Sequence, residues 1–240
     1  GCVYKPEADF RFCMMYPDTY ELGQANQALR ILVNVVNAVD GMVAERAFLP
    51  AAEFCDTMRA EGLPLFSIES CAPVAEFDAI GITLSHELVA TNVLEALDLA
   101  GIPLHAQDRG EDDLFVIGGG PCSYNPEPYA PFFDIFNIGE GEEALPECLQ
   151  AIRRLRAEGA CRADILRAIA RMDGYYVPSL YRWRDEEQAQ QAGSWIEPVE
   201  EGLPTRIQKR VFEGFAESPG WEACIVPFTE VVQDLSLIHI

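Results

Sequence analysis

Pro17, Asp18, Tyr20 and Gly23 fall in one short stretch, "YPDTYELG" (Tyr16 to Gly23). It follows the apolar run "RFCMM" and precedes a nearly uncharged helical pattern, "QANQALRILVNVVNAV". A strand, a tight polar loop and a buried helix in that order suit a loop that grips a ligand. This loop offers an aspartate, a tyrosine and a glycine, but no lysine, arginine or histidine. Three further loops end apolar runs in the same manner. They are "TLSHEL" with Thr83, Ser85 and His86, "GGGPC" with Gly118, Gly119, Gly120 and Pro121, and "GEGEE" with Gly139, Glu140, Gly141 and Glu142. Glycine admits close backbone approach and costs about 0.5–1 kcal/mol inside regular structure. Four such loops on one edge point to a large ligand lying across it.

The elements that must position these loops alternate. Strands are expected at "RFCMMY", "MVAERAFL", "FDAIGITLS", "LFVIGGGP" and "IFNIGEGE", with "LFSIE" as a short extra strand or extended link. Helices are expected over 24–39, 53–61, 88–100, 143–158 and 163–172, with a short one near 128–133. "FDAIGITLS" is almost continuously apolar, as a strand covered on both faces must be. This alternation predicts an α/β fold with a doubly wound, mainly parallel sheet, followed by a C-terminal helix and a small β extension. In such sheets ligands sit outside the carboxyl ends of the strands. After Gly159, "YYVPSLYRW", "SWIEPV", "TRIQKRVF" and "CIVPF" read as short extended pieces. Arg206, Lys209 and Arg210 there read as a solvated strand face.

Composition narrows the partners. The chain has 240 residues, 49% of them hydrophobic, and a formal charge of −22 with only two lysines, Lys5 and Lys209. A nucleic-acid partner needs clustered cations, and no apolar run reaches the ~20 residues of a membrane span. The eight cysteines (2, 13, 55, 71, 122, 148, 161, 224) show no CxxC, no CxxxCxxC and no Cys/His pairing at ligand spacing. They read as reduced, mostly buried thiols of a cytoplasmic protein. A dinucleotide fold wants GxGxxG in the first loop, and a P-loop wants a Gly-Lys pair; neither is present. Asp18 and Glu21 would repel a phosphate from the first loop. Glu140, Glu142 and Glu143 would do so at the last, so the expected ligand is large and mostly neutral.

These loops carry a family resemblance. Asp18-Thr19-Tyr20-Glu21-Leu22-Gly23 is similar to the D-x-H-x-x-G loop of cobalamin-binding Rossmann-like (flavodoxin-like) domains, with Tyr20 in the histidine's place. Thr83-Leu84-Ser85 stands where that family carries a Ser/Thr-bearing loop, and Gly118-Gly119-Gly120 where it carries its Gly-Gly loop. The run Phe115 to Glu147, with "GGxP…D…GEGE", resembles the B12-binding N-terminal half of cobalamin-dependent radical SAM proteins. From about residue 10 to 234 the chain is similar to an uncharacterised B12-binding subgroup of these.

The resemblance implies that the fragment binds cobalamin. Pro17, Asp18, Tyr20, Gly23, Thr83, Ser85, His86, Gly118–Pro121 and Gly139–Glu142 would line the site. The dimethylbenzimidazole tail would tuck into the sheet edge, and cobalt would lack a protein histidine below it. It also implies that S-adenosylmethionine and a [4Fe–4S] cluster belong to a radical SAM barrel downstream, because no CxxxCxxC occurs here. No catalytic residue or protein metal ligand is then expected in this chain, and no membrane or nucleic-acid partner.

Residues 1–160 would form the cobalamin-binding domain, 161–234 a helix and β linker toward the barrel, and 235–240, "LSLIHI", a non-native tail. The chain begins without an initiator Met and ends on an apolar stub, so both ends read as cut. Two other readings stay open on the residues alone: a Rossmann-like interaction module that has lost its ligand, and a flavin- or nucleotide-binding flavodoxin-like domain. His86, ahead of a helix, reads more readily as a solvated or capping neighbour, and for Tyr20 a ring packed on the adjoining helix is the alternative. His105 and His239 suggest no role.

Overall fold

The computed structural model describes residues 5–214. "CIVPF", the 235–240 tail, Cys2, Cys224 and His239 lie outside them.

Apolar runs of five to seven residues become the strands β1 (Phe10–Tyr16), β2 (Met42–Phe48), β3 (Ala79–Thr83) and β4 (Phe115–Gly119), followed by a shorter β5 (Ile135–Asn137). They pair in parallel in the order β2-β1-β3-β4-β5, and β6 (Tyr175–Tyr176) closes the sheet antiparallel to β5. The chain steps outward from β1 to β2 and then crosses back to β3, so strand order reverses between β1 and β3. Because β1 to β5 are parallel, the four loops singled out in the sequence share one edge. β6 comes from beyond Gly159, so residues on both sides of position 160 build this sheet.

Period-two alternation sends side chains to two cores. Cys13, Met15, Ile80, Ile82, Val116 and Phe136 face one layer, which contains helices α3 (Ala52–Glu61) and α4 (Ala90–Leu99). Phe10, Phe12, Met14, Ala79, Phe115 and Ile117 face the other, under α2 (Gln27–Asn37), α5 (Ala144–Ala157) and α6 (Arg162–Ile169). Burial keeps the thiols inert: it pushes Cys148 up to about 12 and raises Cys13 well above its ordinary value. Cys71 and Cys161, however, are exposed. A small hairpin, β7 (Tyr181–Trp183) and β8 (Ile196–Pro198), flanks α7 (Glu186–Ala192).

Of the helix expected over 24–39, only α2 forms, and a separate turn stands ahead of it. α1 (Tyr20–Gly23) is a single turn, and α2 begins only at Gln27. Asn26 makes the break, because its side chain accepts from Leu29 N at 3.0 Å as an N-cap, worth about 1 kcal/mol. "LFSIE" is the extended link rather than a strand. Among the described residues its only bridge joins Phe66 to Pro73, and it runs as a flap along β2, with Ile68 N donating to Arg46 O.

Glu45 holds that flap. It is 5% exposed and accepts from Ser67 Oγ at 2.6 Å, Ser70 Oγ at 2.5 Å and Arg11 at 3.3 Å. Burial alone would raise its pKa, but these hydrogen bonds outweigh that and hold the carboxyl below the usual range. A carboxyl depressed in the folded state stabilises fully above its unfolded value of about 4.3. That stabilisation fades as pH falls through the lower folded value. Protection of the amides of residues 65–72, taken relative to intrinsic exchange at each pH, should therefore fall below about pH 4.3 in this chain, and Glu45→Gln should remove that pH dependence.

A second buried carboxylate ties the sheet together. Asp134 accepts from Arg109 at 3.0 Å, Arg162 at 2.8 Å and Val116 N at 2.8 Å, with its side chain only 2% exposed. Asp134→Ala would leave two guanidinium groups without their counter-charge. Urea unfolding should show a loss of about 3–5 kcal/mol.

Candidate functional site

Between α2 and α5, on the carboxyl side of the sheet, lies a slot of about 210 Å³. Phe12, Met14, Gly81 and Ile117 form its floor. Ala28, Ile31, Leu32 and Leu145 form its walls, and Thr83, Gly118–Gly120, Asn137 and Gly139–Glu142 form its mouth. Among the described residues no Lys, Arg, His or Cys lines it. Ligand pockets usually measure about 300–1,000 Å³, so this slot suits one flat, mostly apolar appendage of a larger molecule.

Two polar atoms here are buried and unpaired: Thr83 Oγ1 and Asn137 Oδ1. The Asn137 amide nitrogen donates to Gly139 O at 3.2 Å, so its oxygen is the group left over. An unmet buried polar group costs about 1–3 kcal/mol. Both residues line the slot, which therefore carries one hydroxyl able to donate and one amide oxygen able to accept. Ser85 Oγ is also buried and unpaired, but Ser85 is not part of the lining.

The glycines have separate reasons. Gly119 shares a sheet face with Phe115 and Ile117, and a Cβ there would find nothing within 4 Å. It opens the slot. Gly120 adopts φ +103, and a Cβ would come within 3.0 Å of Leu84 O; it lets β4 turn beside the loop after β3. Leu84 N accordingly donates to Gly119 O and Cys122 N to Leu84 O. Gly139 adopts φ +110, and a Cβ would meet Arg210 O at 2.2 Å. That glycine admits a neighbouring backbone, whatever ligand lies nearby.

Of the residues singled out in the sequence, Thr83, Gly118, Gly119, Gly120, Gly139, Glu140, Gly141 and Glu142 come together around the slot. The others do not line it. Pro17 is buried, with its carbonyl accepting from Asn92 at 2.9 Å, and Asp18 Oδ1 accepts from Thr19 N at 2.7 Å. Tyr20 packs edge-on against Phe48, with ring centroids 5.2 Å apart, beside a separate cleft that includes Phe54 and Phe66. Gly23 fits against the Phe48 and Tyr16 rings. His86 and Pro121 are exposed.

Sequence reasoning missed Asn137, Ala28, Ile31, Leu32 and Leu145. Asn137 alone left a signal, as a polar residue closing an apolar strand. Arg210 is also not the free strand-face cation expected. It is half-buried and forks onto Glu147 at 2.8 and 3.0 Å.

Two other hollows hold paired charges. One, of about 1090 Å³, lies at the opposite edge of the sheet, where Arg153 pairs with Asp9 at 2.7 Å and Arg156 with Asp78 at 3.0 Å. Another, of about 610 Å³, lies over the Arg109–Asp134–Arg162 cluster, near Tyr176, which donates to Glu127 at 2.5 Å. Burial, reinforced by that carboxylate, raises the Tyr176 pKa. Among the described residues no His/Cys/Asp/Glu group could hold a metal ion, and no helix is long and apolar enough to cross a membrane.

Residues 28–178 match the family described as radical SAM proteins, N-terminal. The chain belongs to this family. None of the curated proteins matches the sequence. Among solved structures this radical SAM N-terminal chain is similar to the radical S-adenosylmethionine methyltransferase TsrM from Kitasatospora setae, solved with tryptophan substrate and the SAM analogue aza-SAM bound. Identity is 16% and the TM-score 0.42, covering 81% of this chain and 31% of that one. The chain thus spans less than a third of the protein it matches.

The unpaired Thr83 hydroxyl offers a direct test of the slot. Thr83→Val keeps the shape and removes the orphan. It should leave the ligand-free chain as stable as before or more so, by up to about 2 kcal/mol in urea unfolding. A loss of stability would mean that the hydroxyl is already satisfied within the chain.

Proposed function

We propose that this chain is the cobalamin-binding portion of a radical SAM enzyme, with S-adenosylmethionine and a [4Fe–4S] cluster held by a barrel elsewhere in the same polypeptide. The slot supports this reading, with an apolar floor and two unpaired polar atoms, Thr83 Oγ1 and Asn137 Oδ1, on one side of the carboxyl edge. The dimethylbenzimidazole end of cobalamin's nucleotide tail is flat and apolar, with a ring nitrogen that accepts a hydrogen bond once it leaves cobalt. The Thr83 hydroxyl can donate to such a nitrogen, and the Asn137 oxygen can accept from a ribose hydroxyl. The corrin, too large for 210 Å³, would lie outside along the strand-end loops. The half-buried Glu142 carboxylate at the mouth accepts from primary amides such as those that fringe a corrin, and it repels free phosphates.

Bound cobalamin would supply a methyl carrier or an electron carrier. This chain's residues would bind it, fix its tail and keep water from the slot floor. No imidazole stands in the loop after β1, and the Tyr20 ring is engaged with Phe48, so this loop would offer the cofactor no nitrogen ligand. The proposed division is a cofactor-binding domain over 1–160 and a linker over 161–234. β6, from the latter stretch, completes the sheet.

The test is a visible-absorbance titration of the chain with hydroxocobalamin. Saturable binding with a base-off spectrum is expected. Gly119→Leu places a side chain in the open slot and should weaken binding at least tenfold, in line with the ~1–3 kcal/mol cost of overpacking. Absence of saturable binding by the folded chain at tens of micromolar ligand would sink the proposal. Saturable binding of a flavin instead would move it to the flavodoxin-like class.

A further inference from the structure

The segment leaving the hairpin returns to the slot and is locked beside it. Gly139 and Arg210 form a parallel bridge, in which Arg210 N donates to Ile138 O at 2.9 Å and Glu140 N donates to Arg210 O at 3.1 Å. Phe212 N donates to the Glu140 carboxylate. The Arg210 guanidinium forks onto Glu147 of α5 and lies 3.8 Å from Glu143. A Cβ on Gly174 would fall 2.3 Å from Arg210 Cγ, as one on Gly139 would fall 2.2 Å from Arg210 O. Two glycines at positive φ and a bidentate ion pair thus converge on one residue.

What Arg210 holds is the mouth of the slot. Gly139–Glu142 line the slot on one side and carry the bridge to Arg210 on the other. Glu147 lies on the same helix as Leu145, a wall of the slot. Left to itself, a loop of two glycines and two glutamates would be costly to order, and its carboxylates would repel one another. A guanidinium fork fixes direction as well as charge.

We propose that Arg210 is the positioning residue of the slot. By clamping its own segment to β5 and α5 it orders the Gly139–Glu142 mouth and thereby sets the affinity for whatever enters. The affinity half of this inference rests on the cobalamin reading; the ordering half does not. Linkage makes the effect mutual, so a ligand in the slot also holds the 210–212 segment in place.

The experiment compares the 240-residue chain with Arg210→Ala, Arg210→Lys and Glu147→Gln. It follows amide exchange of Glu140 and Phe212 without ligand, hydroxocobalamin affinity, and the thermal midpoint. Arg210→Ala should speed exchange at both amides and weaken affinity by about 5–20-fold. Lysine should restore part of each effect, because it keeps the charge and loses the fork. Glu147→Gln, which preserves volume, should weaken affinity less than Arg210→Ala does. It should add little to Arg210→Ala in the double variant.

Unchanged exchange in Arg210→Ala overturns the clamp. Faster exchange with unchanged affinity overturns the link to binding, and an affinity loss that merely tracks a fallen thermal midpoint reduces Arg210 to a structural role. If the unaltered chain binds no hydroxocobalamin, the cobalamin reading and the affinity half fall together. Exchange then still decides whether Arg210 orders the loop.

Discussion

A single buried carboxylate decides where the last parallel strand lies. Asp134, just before β5, accepts from the backbone of β4 and from two guanidinium groups. Arg109 comes from the loop ahead of β4 and spends its remaining donors on the carbonyls of Pro103, Leu104 and Phe132. Arg162 begins α6 and also donates to Asp113 O and Leu114 O. One anion therefore joins strand, loop and helix at the amino edge. Such a cluster is expensive to desolvate and is tolerated because nearly every donor has an acceptor. With β5 fixed there, its other end must emerge beside Gly119, and the slot follows.

The two ends of the sheet differ in how completely polarity is satisfied. At the amino edge Arg11, Arg153, Arg156 and Arg162 have carboxylate partners. At the carboxyl edge Thr83, Ser85 and Asn137 each keep a buried polar atom without one. Native chains bury few such atoms, and here three stand at the ends of β3 and β5, on either side of β4. Folding alone gives no reason for this placement, whereas a ligand with complementary donors and acceptors does.

Charge works in the same direction. The chain carries 39 acidic residues against 17 Lys and Arg, and many of the arginines are committed to ion pairs inside it. The acidic surplus reaches the slot mouth through Glu140 and Glu142. An anionic ligand would meet repulsion there that a neutral, amide-rich one would not.

The sequence by itself determined the layer structure. Runs such as "FDAIGITLS" and "LFVIGGGP" have the length and apolar continuity of strands buried on both faces, and their alternation with helices is the pattern of a parallel sheet whose loops share an edge. Thr83, Gly119, Gly120 and Glu142 could therefore be marked as edge residues from their place after each run. The tertiary structure decided which of them converge. Tyr20 went to Phe48, because an aromatic pair worth about 0.5–1.5 kcal/mol lay within reach. Asn26 capped α2, the helix that brings Ala28, Ile31 and Leu32 to the slot. Arg210, some seventy residues from Gly139, found its seat only once β5, α5 and Gly174 were assembled around it. Local periodicity encodes which face of an element is apolar. Which two faces meet, and what space they leave between them, depends on packing among residues far apart in the chain, and no local pattern carries that.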